Sequence, residues 1–254
     1  MKIVSWNIAG GHTFKGRVED ASSYNREDLS YFIGQIKDVE SDVISLQEAH
    51  TSVNRNNDSQ AKTIAEALGY DFVVNHPYSD RSHIKSDQRL SLSIISKLPI
   101  ENSYFHLLPN PSLRITRPDG DVWVSLDVGF LVTTVGYNGN RINVANCHMV
   151  PYHYFNRDFL EFNDIRDDTS DFLIRLSKKP TLVAGDFNYN DLKRLLPRIF
   201  ENGSYRESFE GVETAPGRGQ QDHVLFSNQW DIRKYEIRVG EADHYLCVSE
   251  VELK

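Results

Sequence analysis

The chain reads Thr181-Leu182-Val183-Ala184-Gly185-Asp186-Phe187-Asn188 directly after Pro180. The first four residues form a short apolar run, which has the length and composition expected of a buried strand. Gly185 then allows the backbone to bend or to approach another group closely. Asp186 and Asn188 are two residues apart and point to the same side if the strand geometry continues. A carboxylate and an amide in this position suit water activation and phosphate-oxygen binding, although Gly, Asp and Asn also make ordinary turns.

The composition is that of an ordinary globular chain. Hydrophobic residues make up 39% and charged residues 25% of the 254 positions, so one domain spanning residues 1–254 is the simplest organisation. The 28 basic and 36 acidic residues give a formal net charge of −8. This charge argues against broad, non-specific coating of nucleic acid, which relies on basic patches. It leaves open a small phosphate ester, a nucleic-acid end, or a site in which a metal ion offsets the charge.

Two cysteines, Cys147 and Cys247, fall in predicted strands and are expected to be small buried hydrophobic residues without a disulfide framework. The first predicted strand begins directly after Met1, without the apolar region of a signal peptide. No segment is long enough to span a bilayer. We therefore expect a cytoplasmic protein without membrane contact. We also expect a monomer, although no sequence feature bears on the oligomeric state.

Apolar runs predict strands along the whole chain. They cover residues 2–7, 42–46, 70–74, 90–96, 122–128, 130–135, 141–147, 181–184, 223–226, 232–238 and 245–253. Strong turn signals, Pro118 to Gly120 and Asn138-Gly139-Asn140, separate strands in the middle of the chain. These turns predict antiparallel hairpins, which a purely parallel sheet would not need.

Helical spacing of apolar residues predicts helices between several of the strands. One helix is capped by Asp58 or Ser59 and ends at Gly69, a long one runs from Phe155 to Leu176, and a short one is capped by Asn190. The mixture of helix-linked strands and hairpins predicts an α/β sandwich, in which two mixed sheets stack with helices outside.

Several polar residues stand at the ends of predicted strands, and they are the carboxylate, amide and imidazole groups of Asn7, Glu48, His148, Asp186, Asn188, Asp222, Asp243 and His244. If the strands stack in two sheets, these ends can meet in one cleft. The set lacks the cysteines of a typical structural zinc site. Its carboxylates and amides suit a hard cation such as Mg²⁺ or Mn²⁺. Its histidines suit proton transfer or stabilisation of transition-state charge.

Six short motifs occur in a fixed order, and they are Ser5-Trp6-Asn7, Leu46-Gln47-Glu48, His148, Gly185-Asp186-Phe187-Asn188, Gln221-Asp222-His223-Val224-Leu225 and Ala242-Asp243-His244. Together they resemble the endonuclease/exonuclease/phosphatase superfamily over essentially the whole chain. The presence of His148 is more similar to DNase-like and tyrosyl-DNA-phosphodiesterase-like members than to abasic-site endonucleases. The resemblance implies a four-layered α/β sandwich and Mg²⁺-dependent cleavage of a phosphoester, with Mn²⁺ as a possible substitute.

The resemblance also implies roles for single residues. Glu48 would be the main metal ligand, helped by Asn7, and Asp243 would lie near this metal or bind a second one. The metal would neutralise the phosphate and the leaving oxygen, so that the side chains need only position groups and adjust charge.

The remaining residues of the motifs would act on water and phosphate. Asp186 would orient or deprotonate the attacking water, and Asn188 would hold the water or a phosphate oxygen. His244 would contact the phosphate, kept in its tautomer by Asp222. His148 would donate to the phosphate or to the leaving group.

Some positions depart from the family pattern. Ala9 stands where many nuclease relatives have a charged residue, and Ala242 and Leu246 replace frequent Ser and Pro. His223 occupies a position that is usually aromatic, so it is not assigned a role. The other histidines are expected on the surface or in loops, and they are His12, His50, His76, His83, His106 and His153.

The substrate is the least determined property, because loops decide it in this superfamily. A phosphodiesterase acting on nucleic acid, including its ends, is the leading hypothesis, since the aromatic residues of the loop from Tyr152 to Phe155 could stack a base. These residues could equally fold onto the core. The alternative is a phosphatase or phosphodiesterase of a small or lipid phosphoester, of the inositol phosphate or sphingomyelin type, which the acidic charge fits better. A binding module with a decayed site is the alternative from another class.

Overall fold

The computed structural model describes residues 1–15, 23–55, 58–117 and 120–254. Within these residues the strands are β1 (Lys2–Asn7), β2 (His12–Phe14), β3 (Tyr24–Glu27), β4 (Val43–Ser52), β5 (Phe72–Pro77), β6 (Gln88–Ser96), β7 (Ile100–Leu107), β8 (Arg114–Thr116), β9 (Val122–Val124), β10 (Gly129–Tyr137), β11 (Asn140–His148), β12 (Thr181–Asp186), β13 (Tyr205–Glu207), β14 (Asp222–Ser227), β15 (Trp230–Arg238) and β16 (Leu246–Leu253). The helices are α1 (Leu29–Lys37), α2 (Gln60–Leu68), α3 (Asn163–Leu176), α4 (Leu192–Leu195) and α5 (Pro197–Glu201).

Most of these strands form two six-stranded sheets. The first sheet has the order β15-β16-β1-β4-β6-β5, and the second has the order β13-β14-β12-β11-β10-β7. Each sheet contains one parallel pair, β1 with β4 and β11 with β12. The other neighbours are antiparallel. Both sheets are therefore mixed, as the sequence predicted.

Three apolar cores separate four layers of secondary structure. The middle core lies between the two sheets, one outer core lies between the first sheet and α1 and α2, and the other lies between the second sheet and α3 to α5. Successive strand residues alternate between cores, as the period of a strand requires. Ile3 and Leu182 face the middle core, whereas Val4 and Val183 face the outer ones. The predicted four-layered α/β sandwich is confirmed.

The ends of the short helices partly follow the sequence prediction. Ser59 caps α2 by accepting a hydrogen bond from Lys62 N–H, and Gly69 ends this helix with a φ of +73°. The prediction that Asn190 caps the following short helix is wrong, because Asp191 accepts the capping hydrogen bond of α4. Asn190 instead accepts a hydrogen bond from the side chain of Gln221.

The prediction of one long helix from Phe155 to Leu176 is also wrong. Two 3₁₀ turns, Tyr152–Phe155 and Phe159–Glu161, precede α3. Asn156 ends the first turn with a φ of +54°, which a continuous helix cannot contain. The aromatic residues of these turns still pack into the outer core, which includes Tyr152, Phe155 and Phe159. These residues gave the apolar spacing from which the long α-helix was predicted, although they lie in 3₁₀ turns.

The strand predictions fail mainly where a strand lies at an edge or is short. β7 was not predicted, because most of its residues are exposed and polar. Of the strand predicted over residues 122–128, only Val122–Val124 form a strand. Asn138 and Gly139 form the predicted turn between β10 and β11, with φ angles of +48° and +78°. The Pro118 to Gly120 turn begins outside the described residues.

Burial confirms one expectation from the sequence and corrects another. Cys147 and Cys247 are free and buried, as expected. His83 and His153 are exposed and lie outside the strands, as expected. The expectation of surface or loop positions was wrong for the other four, because His12 and His50 are buried in β2 and β4, and the half-buried His76 and His106 lie in β5 and β7. The His50 ring packs against Gly10, where a Cβ would lie 2.1 Å from it. Among the helices of the described ranges, none has the length and apolar character required to cross a membrane.

Candidate active site

The ends of the parallel strands carry the polar residues of the site. In the first sheet β1 and β4 place Asn7 opposite Gln47, and in the second sheet β11 and β12 place His148 opposite Asp186. β14 runs antiparallel to β12 and begins at Asp222, which pairs with Asp186. The carboxyl ends of both parallel pairs therefore carry the candidate site residues that were predicted from the sequence.

Glu48 reaches the site through an irregularity in β4. The sequence placed it at the end of a strand, but β4 continues beyond it, and its register with β6 shifts between Leu46 and Ala49. Glu48 thus lies in a β-bulge, a feature that redirects side chains and is frequent next to active sites. From there its Oε1 accepts a hydrogen bond from Asn7 Nδ2 at 3.3 Å.

Backbone conformations that are uncommon for residues with side chains surround the site. Ala9, Glu48 and Asn188 have φ angles of +42°, +55° and +51°. The Asn188 backbone N–H donates to Asp186 Oδ1 at 2.9 Å, and its Nδ2 donates to the Met149 carbonyl at 3.0 Å. Such conformations carry a cost that the surrounding contacts offset, and they cluster at functional sites.

Asp186 is the centre of the group. Its Oδ2 accepts a hydrogen bond from Asn7 Nδ2 at 3.1 Å and lies 3.6 Å from His148 Nε2 and 3.5 Å from His244 Nε2. Burial raises the pKa of a carboxyl group, but the two histidines lower the pKa of Asp186 below its ordinary value. Asp186 is therefore an ionised acceptor that faces two imidazole rings.

His244 is held by a second buried carboxylate. Its Nδ1 lies 2.7 Å from Asp222 Oδ2, and its carbonyl accepts a hydrogen bond from Trp6 Nε1 at 2.9 Å. Burial lowers the pKa of a histidine, yet Asp222 and Asp186 raise the pKa of His244 to about 9. The ring is protonated at neutral pH, with Nε2 directed at Asp186.

His148 is oriented by a tyrosine that was not predicted from the sequence to belong to the site. The Tyr78 hydroxyl lies 2.6 Å from His148 Nδ1, which leaves Nε2 to face Glu48 Oε1 at 3.7 Å and Asp186. Burial and the two carboxylates raise the pKa of Tyr78 well above its ordinary value, so its hydroxyl stays protonated.

Asp243 has two further partners that were not selected from the sequence. The Tyr24 hydroxyl donates to Asp243 Oδ2 at 3.1 Å, and Arg218 Nη2 lies 3.8 Å from the same oxygen. Burial raises the pKa of Asp243, and Glu48 adds to this effect. Asp243 Oδ1 is buried without a hydrogen-bond partner among the described residues.

The structure brings all eight selected residues into one group, which we call the acid–amide–histidine cluster: Asn7, Glu48, His148, Asp186, Asn188, Asp222, Asp243 and His244. Four of them belong to the first sheet or to the loop that enters it, and four belong to the second sheet or to the loop that leaves it. Two hydrogen bonds of the cluster cross between the sheets, from Asn7 to Asp186 and between His244 and Asp222.

A pair of buried amides joins the two sheets beneath the cluster. Gln47 Nε2 donates to Asn146 Oδ1 at 2.6 Å. Asn146 Nδ2 in turn donates to the carbonyls of Leu46 and Ser93 at 2.8 and 2.9 Å. Because unpaired buried amides are costly, these hydrogen bonds favour one arrangement of the sheets.

The cluster has the chemistry of a site for a divalent cation. It contains the buried carboxylates of Asp186, Asp222 and Asp243 together with the carboxylate of Glu48, so negative charge is crowded there. Asp243 has an Oδ1 without a partner in the part of the chain that the structure describes, and burial raises the pKa of its carboxyl group. A cation beside this carboxylate would satisfy the oxygen and favour the ionised form. Oxygen ligands of this kind fit Mg²⁺ or Mn²⁺.

A second grouping of ligand atoms is also compact. One ligand atom from each of Asp186, Asp222 and His244 lies within 4.8 Å of the others. The Nδ1 of His244 is already in a hydrogen bond with Asp222, however. This arrangement fits a hydrogen-bonded Asp–His pair better than a set of metal ligands, so Glu48, Asn7 and Asp243 remain the better candidates to hold an ion.

Comparisons with known proteins agree with this fold. Residues 4–244 match the model of the endonuclease/exonuclease/phosphatase family. No curated protein matches the chain significantly by sequence. An endonuclease/exonuclease/phosphatase from Beutenbergia cavernae DSM 12333 has a similar structure, with a TM-score of 0.74 and 17% identity over 99% of this chain and 71% of its own.

Two further solved structures have the same fold. The human Nocturnin catalytic domain with bound sulfate has a TM-score of 0.71 and 14% identity, over 100% of this chain and 93% of its own. The mannosyl-6-phosphatase Bt3783 from Bacteroides thetaiotaomicron VPI-5482 has a TM-score of 0.67 and 16% identity, over 100% of both chains. At these identities the similarity concerns the fold alone.

The four-layered sandwich and its cluster define a protein of the DNase-like fold class. The chain belongs to the endonuclease/exonuclease/phosphatase family, since the family model matches nearly all of it. Members of this family are phosphoester hydrolases.

The protonated state of His244 predicts a pH dependence of stability. The folded-state pKa of about 9 exceeds the ordinary value of 6.5, so the contribution is complete below pH 6.5 and is lost as the pH rises to 9. We expect the free energy of unfolding of the metal-free protein to fall by on the order of 3 kcal/mol across this range. Denaturant unfolding in EDTA at several pH values measures the change.

His244→Gln isolates this effect, because glutamine does not titrate. The exposed His153, changed to Gln, serves as the control and should keep the wild-type pH dependence. If H244Q shows the same fall between pH 6.5 and 9 as the wild type, His244 is not the group responsible.

Proposed function

We propose that this chain is a phosphodiesterase that depends on Mg²⁺, with Mn²⁺ as a substitute, and that hydrolyses a phosphoester bond in nucleic acid. The observation that carries the proposal is the grouping around Asp186, where one ionised carboxylate faces an amide and two imidazole rings. When bound by Glu48, Asn7 and Asp243, the ion supplies neutralisation of charge on the phosphate and on the leaving oxygen.

In this proposal Asp186 orients the attacking water and takes its proton, because an ionised carboxylate beside the phosphate is a general base. Asn188 holds the water or a phosphate oxygen. The hydrogen bond from its backbone N–H to Asp186 fixes the two residues relative to each other. Water attacks phosphorus in line with the leaving oxygen, which accumulates negative charge.

The two histidines act as donors to the phosphate. His244 donates through Nε2, because Asp222 occupies its Nδ1 and keeps the ring protonated. His148 also presents Nε2, because Tyr78 occupies its Nδ1. Its donation goes to the phosphate or to the leaving oxygen. Donors that are already in place stabilise charge without reorganisation during the reaction.

A row of aromatic and cationic side chains supports nucleic acid as the substrate. Burial raises the pKa of Tyr154 to about 12, and the charges of Arg218 and Asp243 act on the same hydroxyl. The ring of Trp123 meets Tyr154 edge-on, with 5.9 Å between centroids, and the Arg117 guanidinium lies 4.2 Å from the Trp123 ring. Two aromatic rings with a positive charge at one end suit the bases and phosphates of a single strand.

A phosphatase or phosphodiesterase of a small or lipid phosphoester is the second candidate. The net charge of −8 favours a small ester over a long polyanion. The fold of this chain is similar to that of a mannosyl-6-phosphatase over the full length of both chains. This similarity is compatible with a small phosphoester as the substrate. The complete cluster argues against the binding module with a decayed site. The cytoplasmic location stays a prediction.

Hydrolysis of bis-p-nitrophenyl phosphate tests the proposal. We expect turnover with Mg²⁺ that stops in EDTA and returns when Mg²⁺ or Mn²⁺ is added. Turnover that persists in EDTA would contradict metal dependence, and a lack of turnover on every substrate would favour the binding module. A panel of single-stranded DNA, duplex DNA, RNA, 5′-tyrosyl DNA and inositol phosphates then separates the two enzyme candidates.

A further inference from the structure

Arg218 enters the active site from a tight turn that precedes β14. Gly217 and Gly219 flank it with φ angles of +69° and +77°, which residues with a side chain rarely adopt. The Arg218 N–H donates to the Ala215 carbonyl at 3.0 Å, and Gly219 forms an antiparallel bridge with Ala215. A Cβ on Gly219 would lie 3.1 Å from Asn190 Oδ1. The backbone therefore fixes the point from which the arginine side chain extends.

The guanidinium of Arg218 lies against the cluster, and only 19% of its side chain is exposed. Its Nη2 donates to the Asp243 carbonyl at 2.6 Å and lies 3.8 Å from Asp243 Oδ2. Its Nε is buried and has no hydrogen-bond partner within the described residues. Burial lowers the pKa of an arginine, yet Asp243 and Tyr154 raise the pKa of Arg218 above its ordinary value. The group is a permanent positive charge.

A single hydrogen bond to a backbone carbonyl does not require a guanidinium, because neutral side chains such as amides also donate such bonds. Arginine adds a fixed charge and a planar fork of donors, whose geometry matches the oxygens of a phosphate. A phosphate that enters the cluster meets four carboxylates and is repelled by each of them. A positive group on the Asp243 side offsets this repulsion at a place that His148 and His244, which both face Asp186, do not occupy.

We propose that Arg218 is a further catalytic residue, which donates from its guanidinium to a non-bridging oxygen of the substrate phosphate on the Asp243 side of the cluster. The inference rests on the proposed function as a phosphoester hydrolase. The contact binds the phosphate and strengthens as charge develops on its oxygens during attack. It applies to nucleic acid and to small esters alike, because both carry the same phosphate oxygens.

Arg218→Gln tests the inference, since glutamine removes the charge and the fork of donors. Its shorter side chain also gives up the hydrogen bond to the Asp243 carbonyl, so the control must lose a similar hydrogen bond. The matched control is Arg206→Gln, because Arg206 also donates to a backbone carbonyl, that of Trp230, and lies 3.6 Å from a carboxylate, that of Asp231. Arg206 belongs to β13 and is not part of the cluster. The measurements are kcat and KM for bis-p-nitrophenyl phosphate, the half-saturating Mg²⁺ concentration, and the inhibition constant of inorganic phosphate.

We expect R218Q to lower kcat/KM by about 10- to 100-fold, the range for loss of a hydrogen bond to a charged group. Inorganic phosphate should inhibit R218Q more weakly by a similar factor. The half-saturating Mg²⁺ concentration should not rise, because Arg218 acts on the phosphate and its positive charge, 3.8 Å from Asp243 Oδ2, does not attract the ion. R206Q should match the wild type in all three measurements.

Two results would overturn the inference. One is an R218Q enzyme with wild-type kcat/KM and wild-type inhibition by phosphate. The other is a loss that high Mg²⁺ fully restores, since Arg218 would then only position Asp243. If R218Q does not fold, Arg218→Lys decides the question, because lysine keeps the charge without the fork. Inorganic phosphate should bind R218K at least about threefold more weakly than it binds the wild-type protein. Equal binding by R218K and the wild type would overturn the inference.

Failure of the proposed function gives a different pattern. A wild-type protein without turnover on any substrate contradicts the proposed function. Calorimetry with inorganic phosphate still tests Arg218 in that case, and equal binding by the wild type and R218Q overturns the inference. A wild-type enzyme that turns over while R218Q is unaffected contradicts the Arg218 inference alone.

Discussion

Asp186→Asn is expected to lower kcat by about 10²- to 10⁴-fold, the contribution typical of a positioned general base. Asparagine has the same size and keeps an oxygen for the Asn188 backbone N–H, which now donates to Asp186 Oδ1. It cannot take the proton of the attacking water. Its amide would also place a donor against Asn7 Nδ2, which now donates to Asp186 Oδ2 at 3.1 Å. Steady-state turnover of bis-p-nitrophenyl phosphate with saturating Mg²⁺ measures the effect.

The matched control for this variant is Asp42→Asn. Asp42 Oδ2 also accepts a hydrogen bond at the end of a strand, from the Lys2 N–H at 2.7 Å. Lys2 begins β1 and Asn7 ends it, so the control lies at the opposite end of the sheet from the cluster. It should lower stability and leave kcat unchanged. A folded D186N protein with wild-type kcat would mean that another group activates the water.

Glu48→Gln is expected to raise the half-saturating Mg²⁺ concentration by at least about tenfold and to lower kcat by about 10²-fold. Even residues that only orient metal ligands typically contribute 10- to 100-fold, and Glu48 is proposed to be the main ligand. Glutamine fits the bulge of β4 and can still accept the hydrogen bond from Asn7. It lacks the charge that attracts the ion. Activity as a function of Mg²⁺ concentration measures both changes.

The control for Glu48→Gln is Glu66→Gln, since Glu66 is an exposed glutamate of α2 that lies 3.9 Å from Lys62. Removal of the Glu66 charge should affect neither the Mg²⁺ dependence nor the turnover, because exposed ion pairs of this kind contribute little to stability. An E48Q enzyme with the wild-type half-saturating Mg²⁺ concentration would show that Glu48 is not the main ligand. The same titration on Asp243→Asn would then identify whether Asp243 holds the ion.

The positions of most cluster residues were predictable from the sequence, because each follows or begins an apolar run. Asp186 ends the run from Thr181, and the structure places it at the end of β12. Glu48 shows the limit of this reasoning. Its motif located the residue, but the bulge that turns it inward was not predictable, because a positive φ at a residue other than glycine depends on the surrounding contacts.

The residues that complete the site come from loops and short strands and were not predicted. Tyr24 and its partner Asp243 are 219 positions apart, so no local pattern connects them. Tyr78 likewise meets His148 only through the packing of the two sheets. Arg218 had one local signal, the glycines on both sides, which indicates a turn but not which way the side chain points.

The division of the cluster between the two sheets has a consequence for the rest of the molecule. Neither half contains the complete set of proposed catalytic groups, so a state with both sheets formed but slightly displaced would retain its secondary structure and separate those groups. Residues of the middle core such as Leu92 and Leu182, which lie between the sheets, thereby set the distance between the two halves of the cluster. A small displacement of one sheet would therefore change the cluster before it changes the secondary structure.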